Sequence, residues 1–360
     1  FKQKTAYEIY QCDWSSDVCS SDLIAFDLDF SSTSIKEEII AINEEEISDA
    51  SQNEEISQKI VNKLYYGTSL ANNSLLGSKE NRKNFNLEQI NNFYKNWYRA
   101  DNMELLIVGN FDDKYVNKYI KEFFKNTVSK TLVNKIEPQK VDYKYPVFAI
   151  NNPDINNEVE IIFTIQPALI VSEKFDVNTL KTRETFDLVM TMLNQKLNNY
   201  LKNKQANYSA EIWGKYHYDN FFEFYFSTKS LTNDINNHFK NDFNLIKSTL
   251  TQGFSQENFD LAKNERKASL ENIINEEYNL NSYFIDLLFQ DMHNDRPLWK
   301  KEYYRYLDKL VDEITLLDCQ NLLKTIFQSG NKFLFAVGDI KENEKSLAIL
   351  KQILIDDNKK

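Results

Sequence analysis

No apolar run in the chain approaches the roughly 20 residues that a membrane-crossing helix requires, so no such span is expected. Excess basic charge is missing too. The 43 lysines and arginines are outnumbered by 54 aspartates and glutamates, and the lysines lie scattered among glutamates and asparagines. A phosphate backbone finds no electrostatic footprint on such a chain, which argues against nucleic-acid binding. Cysteine is nearly absent from the body of the sequence: Cys12 and Cys19 sit seven apart near the start, and only Cys319 follows. A single cysteine cannot close an internal disulfide, and it neither requires nor forbids an exported location. Histidine is equally sparse. His217, His238 and His293 all fall late in the chain and no two share a helical ligand spacing, so they read as surface or packed residues rather than metal ligands.

The opening residues lack periodicity of any kind. The stretch QCDWSSDVCSSDL, 11–23, fits neither a helix nor a strand. Written as codons, Asp13 to Leu23 reproduce the arm of a common sequencing-library adapter, and Lys2 to Ile9 reproduce its other arm. Residues 1–23 are therefore read as a non-native, adapter-derived segment and kept out of fold reasoning. They carry Lys2 and Lys4 against Glu8, Asp13, Asp17 and Asp22, so without them the net charge moves from −11 to −9. By this reading the natural chain begins further upstream than the sequence given.

What the rest contains is a repeat. FNLEQINNFYKNWYRADNMELLIVGNF (85–111) aligns without a gap to ITLLDCQNLLKTIFQSGNKFLFAVGDI (314–340) at a constant offset of 229. Leu87/Leu316, Asn92/Asn321, Lys95/Lys324, Asn102/Asn331, Leu105/Leu334, Val108/Val337 and Gly109/Gly338 are identical, and most other pairs exchange one apolar residue for another. In the first copy Leu87, Ile90, Phe93, Tyr94, Trp97 and Tyr98 recur at helical spacing behind a capping-box-like Asn86 and Gln89. A short apolar strand, Leu105 to Val108, is expected next, then a helix through Val116, Tyr119, Ile120, Phe123 and Phe124. A period of domain length indicates a duplicated domain rather than a solenoid.

The second copy reads as complete. Strands are expected at 159–167 and 221–228, a long helix through Phe186, Val189, Met190, Leu193, Leu197, Tyr200 and Leu201, and further helices from about 234 to 328. The fold class is α+β: two homologous domains, each a mainly antiparallel sheet packed against helices, the first incomplete. The expected division is 24–135 for the C-terminal part of a first domain, 136–146 for a linker with Pro138 and Pro146, 147–345 for the second domain and 346–360 for a tail.

FYKNWYRADNMELLIVGNFD (93–112), with LYYGTSLANNSLLGSKENRKNF (64–85) ahead of it, resembles the end of the metal-binding domain in the pitrilysin/insulinase (inverzincin) family of zinc metallopeptidases. Ala100 stands where that family usually has proline. The resemblance implies a pitrilysin/insulinase-like fold and a zinc metalloendopeptidase that hydrolyses peptides with metal-activated water. It further implies a second clamshell half or partner subunit and a periplasmic or otherwise exported location. In the family, H-x-x-E-H supplies two histidine ligands and the general base, and a later glutamate completes the Zn2+ site. The chain contains no H-x-x-E-H, so no catalytic residue is assigned within it.

In KEEIIAINEEEIS (36–48) the family's two glutamates seven apart are matched by Glu37 and Glu44. The resemblance makes Glu44 the third zinc ligand, with Glu45 the next candidate register, and Glu37 the carboxylate that orients a histidine. Seven residues are nearly two helical turns, so Glu37 and Glu44 face the same way. The alternative is a catalytically inactive family member serving as a structural or partner subunit. A single carboxylate does not hold zinc tightly, so the chain as given is expected neither to retain zinc nor to cleave peptides.

Overall fold

A computed structural model describes residues 28–49, 52–71, 77–99, 102–103, 105–123, 141–152, 154–170, 177–217, 221–275, 285, 288 and 300–358. The adapter-like residues 1–23 lie outside this set, as do His293 and residues 136–140 of the expected linker. The chain divides into two units, Phe1–Ser51 with Asn73–Gln139, and Gln52–Asn72 with Lys140–Lys360.

The described part of the first unit contains helices α1 (Ser32–Asp49), α3 (Lys79–Lys83), α4 (Leu87–Trp97) and α5 (Asp113–Phe123). α4 starts where its sequence says. Asn86 accepts from the Gln89 amide at 3.0 Å, while the Gln89 side chain accepts from the Asn86 amide at 3.2 Å, closing a capping box. Residues 105–108 form no strand here. A strand needs a hydrogen-bonding neighbour on at least one side. In the second copy the aligned residues 334–337 have such neighbours on both sides. Leu105 and Ile107 consequently stay exposed.

The described part of the second unit is built on five strands, β1 (Val147–Asn151), β2 (Glu158–Ile170), β3 (Ser209–His217), β4 (Phe221–Leu231) and β5 (Asn331–Gly338), in the order β1-β5-β2-β4-β3. All pairings are antiparallel except β1 with β5. β1 and β3 were not legible as strands in the sequence. β2 and β4 were, because both faces of the sheet are covered and such strands read as near-continuous apolar runs. The β2–β4 register shifts between Ile165 and Leu169, around Pro167, which has no amide proton to give the ladder.

Helices α6 (Val177–Asn203), α7 (Ile235–Gln252) and α10 (Leu316–Gln328) pack on one face. There Phe163, Phe224 and Phe226 meet Phe239, Phe243 and Phe327, with ring centroids 4.8 Å apart for Phe163–Phe243 and 5.1 Å for Phe226–Phe239. α8 (Gln256–Asn275) and α9 (Lys300–Glu313) form a second shell of helices with α6, around Leu180, Leu270, Leu307 and Val311. The stretch expected to be a tail is helical as α11 (Glu344–Asn358), and its Leu350 and Ile353 are buried in the core. On the opposite face, Phe148, Ile150, Phe333 and Phe335 are covered by Ile56 and Leu64 of α2 (Gln52–Leu64).

The repeat is visible in α10. Thr315 and Asp318 make the same reciprocal cap as Asn86 and Gln89, at the positions the offset demands. Cys319, Leu323, Ile326 and Phe327 are buried, whereas α4, carrying Ile90, Tyr94, Trp97 and Tyr98 at the equivalent places, buries none of its residues. Gly338 ends β5 at φ +133, and a Cβ there would lie 2.4 Å from the Glu158 carbonyl oxygen, so only glycine fits this close crossing of β2.

Candidate functional site

Glu37 and Glu44 both lie on α1. The helix starts at Ser31, whose hydroxyl accepts from the Ser34 amide at 3.0 Å. Ile35 is buried and Ile39 and Ile42 half-buried along one stripe, while Glu37 and Glu44 are exposed on another side. The side chains of Glu45 and Glu46 lie outside the described residues. α1 is braced from α3. Arg82, 1% exposed, donates from Nε to Asn43 Oδ1 at 3.1 Å and from Nη1 to the Gly77 carbonyl at 2.6 Å. At the other end of the helix, the Leu28 amide donates to the Tyr94 hydroxyl at 3.3 Å and Phe30 meets the Tyr94 ring edge-on. The sequence reading did not single out Arg82; its signal would have been a lone arginine among lysines, too weak to use.

Among the described residues no group of three or more His, Cys, Asp or Glu side chains converges as a metal site. Zinc normally takes three protein ligands even at an open catalytic centre. Glu37 and Glu44 alone do not meet that requirement, so no catalytic step is derived from this chain's residues. His238 is engaged elsewhere: its Nδ1 is 2.7 Å from the Ser230 hydroxyl and its ring stacks on Tyr208 at 3.9 Å.

The second copy shows what faces the corresponding helix when its neighbours are present. Extended without a gap, the offset of 229 carries Glu37 onto Arg266 and Glu44 onto Ile273, both on α8. Arg266 reaches α6 with a two-pronged grip on Glu184, Nε to Oε2 at 2.6 Å and Nη2 to Oε1 at 2.7 Å. Glu184 is nearly fully buried, and its charge helps hold the Arg266 guanidinium above its ordinary pKa against the opposing effect of burial. No metal ligand occupies the Ile273 position, so this copy carries no counterpart of the candidate glutamate.

The family described as "Peptidase M16 inactive domain" matches residues 84–266, more than half of the chain. The chain belongs to the peptidase M16 family. Its M16 relative in Haemophilus influenzae, described as "Probable zinc protease PqqL", is 24% identical over 264 residues, covering 69% of this chain and 27% of that protein. The chain therefore spans about a quarter of the length of the curated relative it matches. Among solved structures, the periplasmic protease PqqL from Escherichia coli superposes with a TM-score of 0.74 at 18% identity, covering 91% of this chain and 37% of that one. The separately solved first half of the same protease gives 0.73 at 17% identity, covering 93% and 76%. These likenesses establish the expected α+β fold, a mostly antiparallel sheet packed on helices. No helix of the described residues is long and apolar enough to cross a membrane.

Proposed function

We propose that this chain is part of a zinc-dependent metalloendopeptidase of the M16 family, contributing the end of the metal-binding domain and its metal-free twin. In this reading Glu44 is the carboxylate ligand, with Glu45 the alternative register, and Glu37 orients a histidine. The H-x-x-E-H helix, the general base and the peptide-capturing strand belong to polypeptide outside the sequence given. An exported location, by analogy with the periplasmic Escherichia coli protease, and a second clamshell half are part of the proposal. The observation that carries it is the Arg266–Glu184 clasp. At the repeat's offset, the Glu37 position on one helix looks directly at the long helix beside the sheet, which is where a histidine-bearing helix would lie in the first copy. Zinc, when bound, would polarise a peptide carbonyl and acidify its water; Glu44 would supply one negative ligand and Glu37 would fix a ring's orientation from outside.

The test begins with the coding sequence upstream of Leu23, followed by purification of the complete polypeptide. One zinc per chain, peptide cleavage, and loss of both in Glu44→Gln are expected. Retention of zinc in Glu44→Gln and loss in Glu45→Gln would move the ligand by one residue. The second reading, a structural or partner subunit without metal, draws on the "inactive domain" description that covers 84–266. Absence of H-x-x-E-H from the complete polypeptide would select it.

A further inference from the structure

Residues 52–71 cover the sheet face opposite the helices, and two attachments hold them there. The first is polar and buried. Tyr65 donates to Glu223 Oε1 at 2.9 Å, and Tyr225 donates to Oε2 of the same carboxylate at 2.7 Å. Gln166 Nε2 donates in turn to the Tyr225 hydroxyl at 2.8 Å, and Trp213 stacks on the Tyr225 ring at 5.0 Å. Glu223 is fully buried near the start of β4. Burial first, and then the neighbouring Glu223 charge, pushes both phenols well above the ordinary tyrosine range, so they stay protonated donors.

The second attachment is a backbone clasp. The Asp142 amide donates to the Tyr66 carbonyl at 2.7 Å. Gly67, at φ +86, brings the chain so near that a Cβ would lie 3.1 Å from Asp142 Cβ. Lys144 Nζ donates to the Tyr66 hydroxyl at 3.2 Å, and Tyr145 meets the Tyr66 ring edge-on. Ahead of both attachments, the apolar contribution comes from buried Ile56 and Leu64 with half-buried Ile60, continued by the Tyr65 ring.

We propose that residues 52–71 are a releasable strap, and that the Tyr65–Glu223 bond is the catch that holds it on the sheet. A core helix such as α6 buries eleven residues and cannot leave without the whole unit unfolding. α2 buries two apolar side chains and sets Lys63 Nζ over the Tyr145 and Phe148 rings, so its docking leans on the Tyr65–Glu223 hydrogen bond, the Gly67 turn and that cation–ring contact. The sheet beneath it is already closed by ladders that do not involve residues 52–71. Opening of the strap is therefore a local event, separable from global unfolding. Loss of a hydrogen bond to a charged group shifts such an equilibrium by about one to two decades.

Hydrogen exchange at peptide resolution on the full 360-residue chain tests this. In Tyr65→Phe, amides of 52–66 should exchange about tenfold faster, while those of 159–165 and 222–228 keep their rates. Gly67→Ala should give the same selective pattern through the other attachment, and the double variant should exceed either. Unchanged rates in 52–66 for both single variants would overturn the proposal. So would a rise shared equally by β2 and β4, whether from a weakened or an unfolded unit, because the segment would then be integral to the sheet rather than strapped to it.

Discussion

Replacing Arg266 with methionine isolates the clasp between α8 and α6. The guanidinium makes two short bonds to Glu184, whose side chain is 4% exposed, against 24% for Arg266. Methionine keeps most of the stem but leaves a buried carboxylate without its partner. Removing one partner of a buried pair costs about 3–5 kcal/mol, and the partial exposure of Arg266 argues for the lower end, about 3 kcal/mol. With a urea slope of about 2–3 kcal/mol/M for a unit of this size, the midpoint should fall by about 1 M. Equilibrium urea unfolding followed by tryptophan fluorescence reads this through Trp213 on β3. The companion variant Glu184→Leu/Arg266→Met removes both charges together and should return to within about 1 kcal/mol of the parent, since an apolar pair of similar volume replaces a desolvated ionic one at little net loss. A stability loss under about 0.5 kcal/mol in Arg266→Met, or a double variant no better than the single, would refute the claim that the pair is buried and mutually dependent.

Further outcomes follow from other parts of the molecule. Burial pushes the Cys319 thiol up to about 12, so it should resist alkylation at pH 8 in the folded chain and react at once in denaturant, as mass spectrometry would show. Thr315→Ala removes half of the α10 capping box and should cost about 1 kcal/mol in urea. Hydrogen bonds from Thr315 hold the Asp318 carboxyl below the usual carboxylate range. Its contribution is therefore complete above the ordinary carboxylate pKa and fades as pH falls through the depressed folded value, and Asp318→Asn should flatten the stability profile in that acidic window. Gly338→Ala sets a methyl group 2.4 Å from the Glu158 carbonyl oxygen at a left-handed φ, for an expected loss of about 2 kcal/mol in thermal or urea unfolding.

The sequence carried its clearest message where local signals and tertiary needs coincide. α4 was readable because a capping-box-like start opens it and apolar residues recur at helical spacing, and α10 because the repeat aligns it with α4. β2 and β4 were readable from continuous apolar runs. β1 and β3 were not: β1 is five residues long, and β3, SAEIWGKYH, mixes glycine and charge at the sheet's edge. Leu105 to Val108 showed the limit of local reading, since its composition matches that of β5 yet a strand exists only through its partners. The catch at Glu223 was invisible because hydrogen-bonding partners 158 positions apart leave no pattern in the chain. For the candidate metal residues, spacing alone placed Glu37 and Glu44 on one side of a helix. Their surroundings had to come from α8 in the other copy.

The order of strands has a bearing on how the second unit is made. β5, the last strand synthesised, lies between β1 and β2, the first two, and Val147 waits for Leu334 as its partner. A nascent chain leaving the ribosome holds β2 against β4 with one long side bare until residue 338 has emerged. That interval, in which an apolar strand is open to neighbouring chains, makes early release or a stop codon ahead of β5 a route to aggregates.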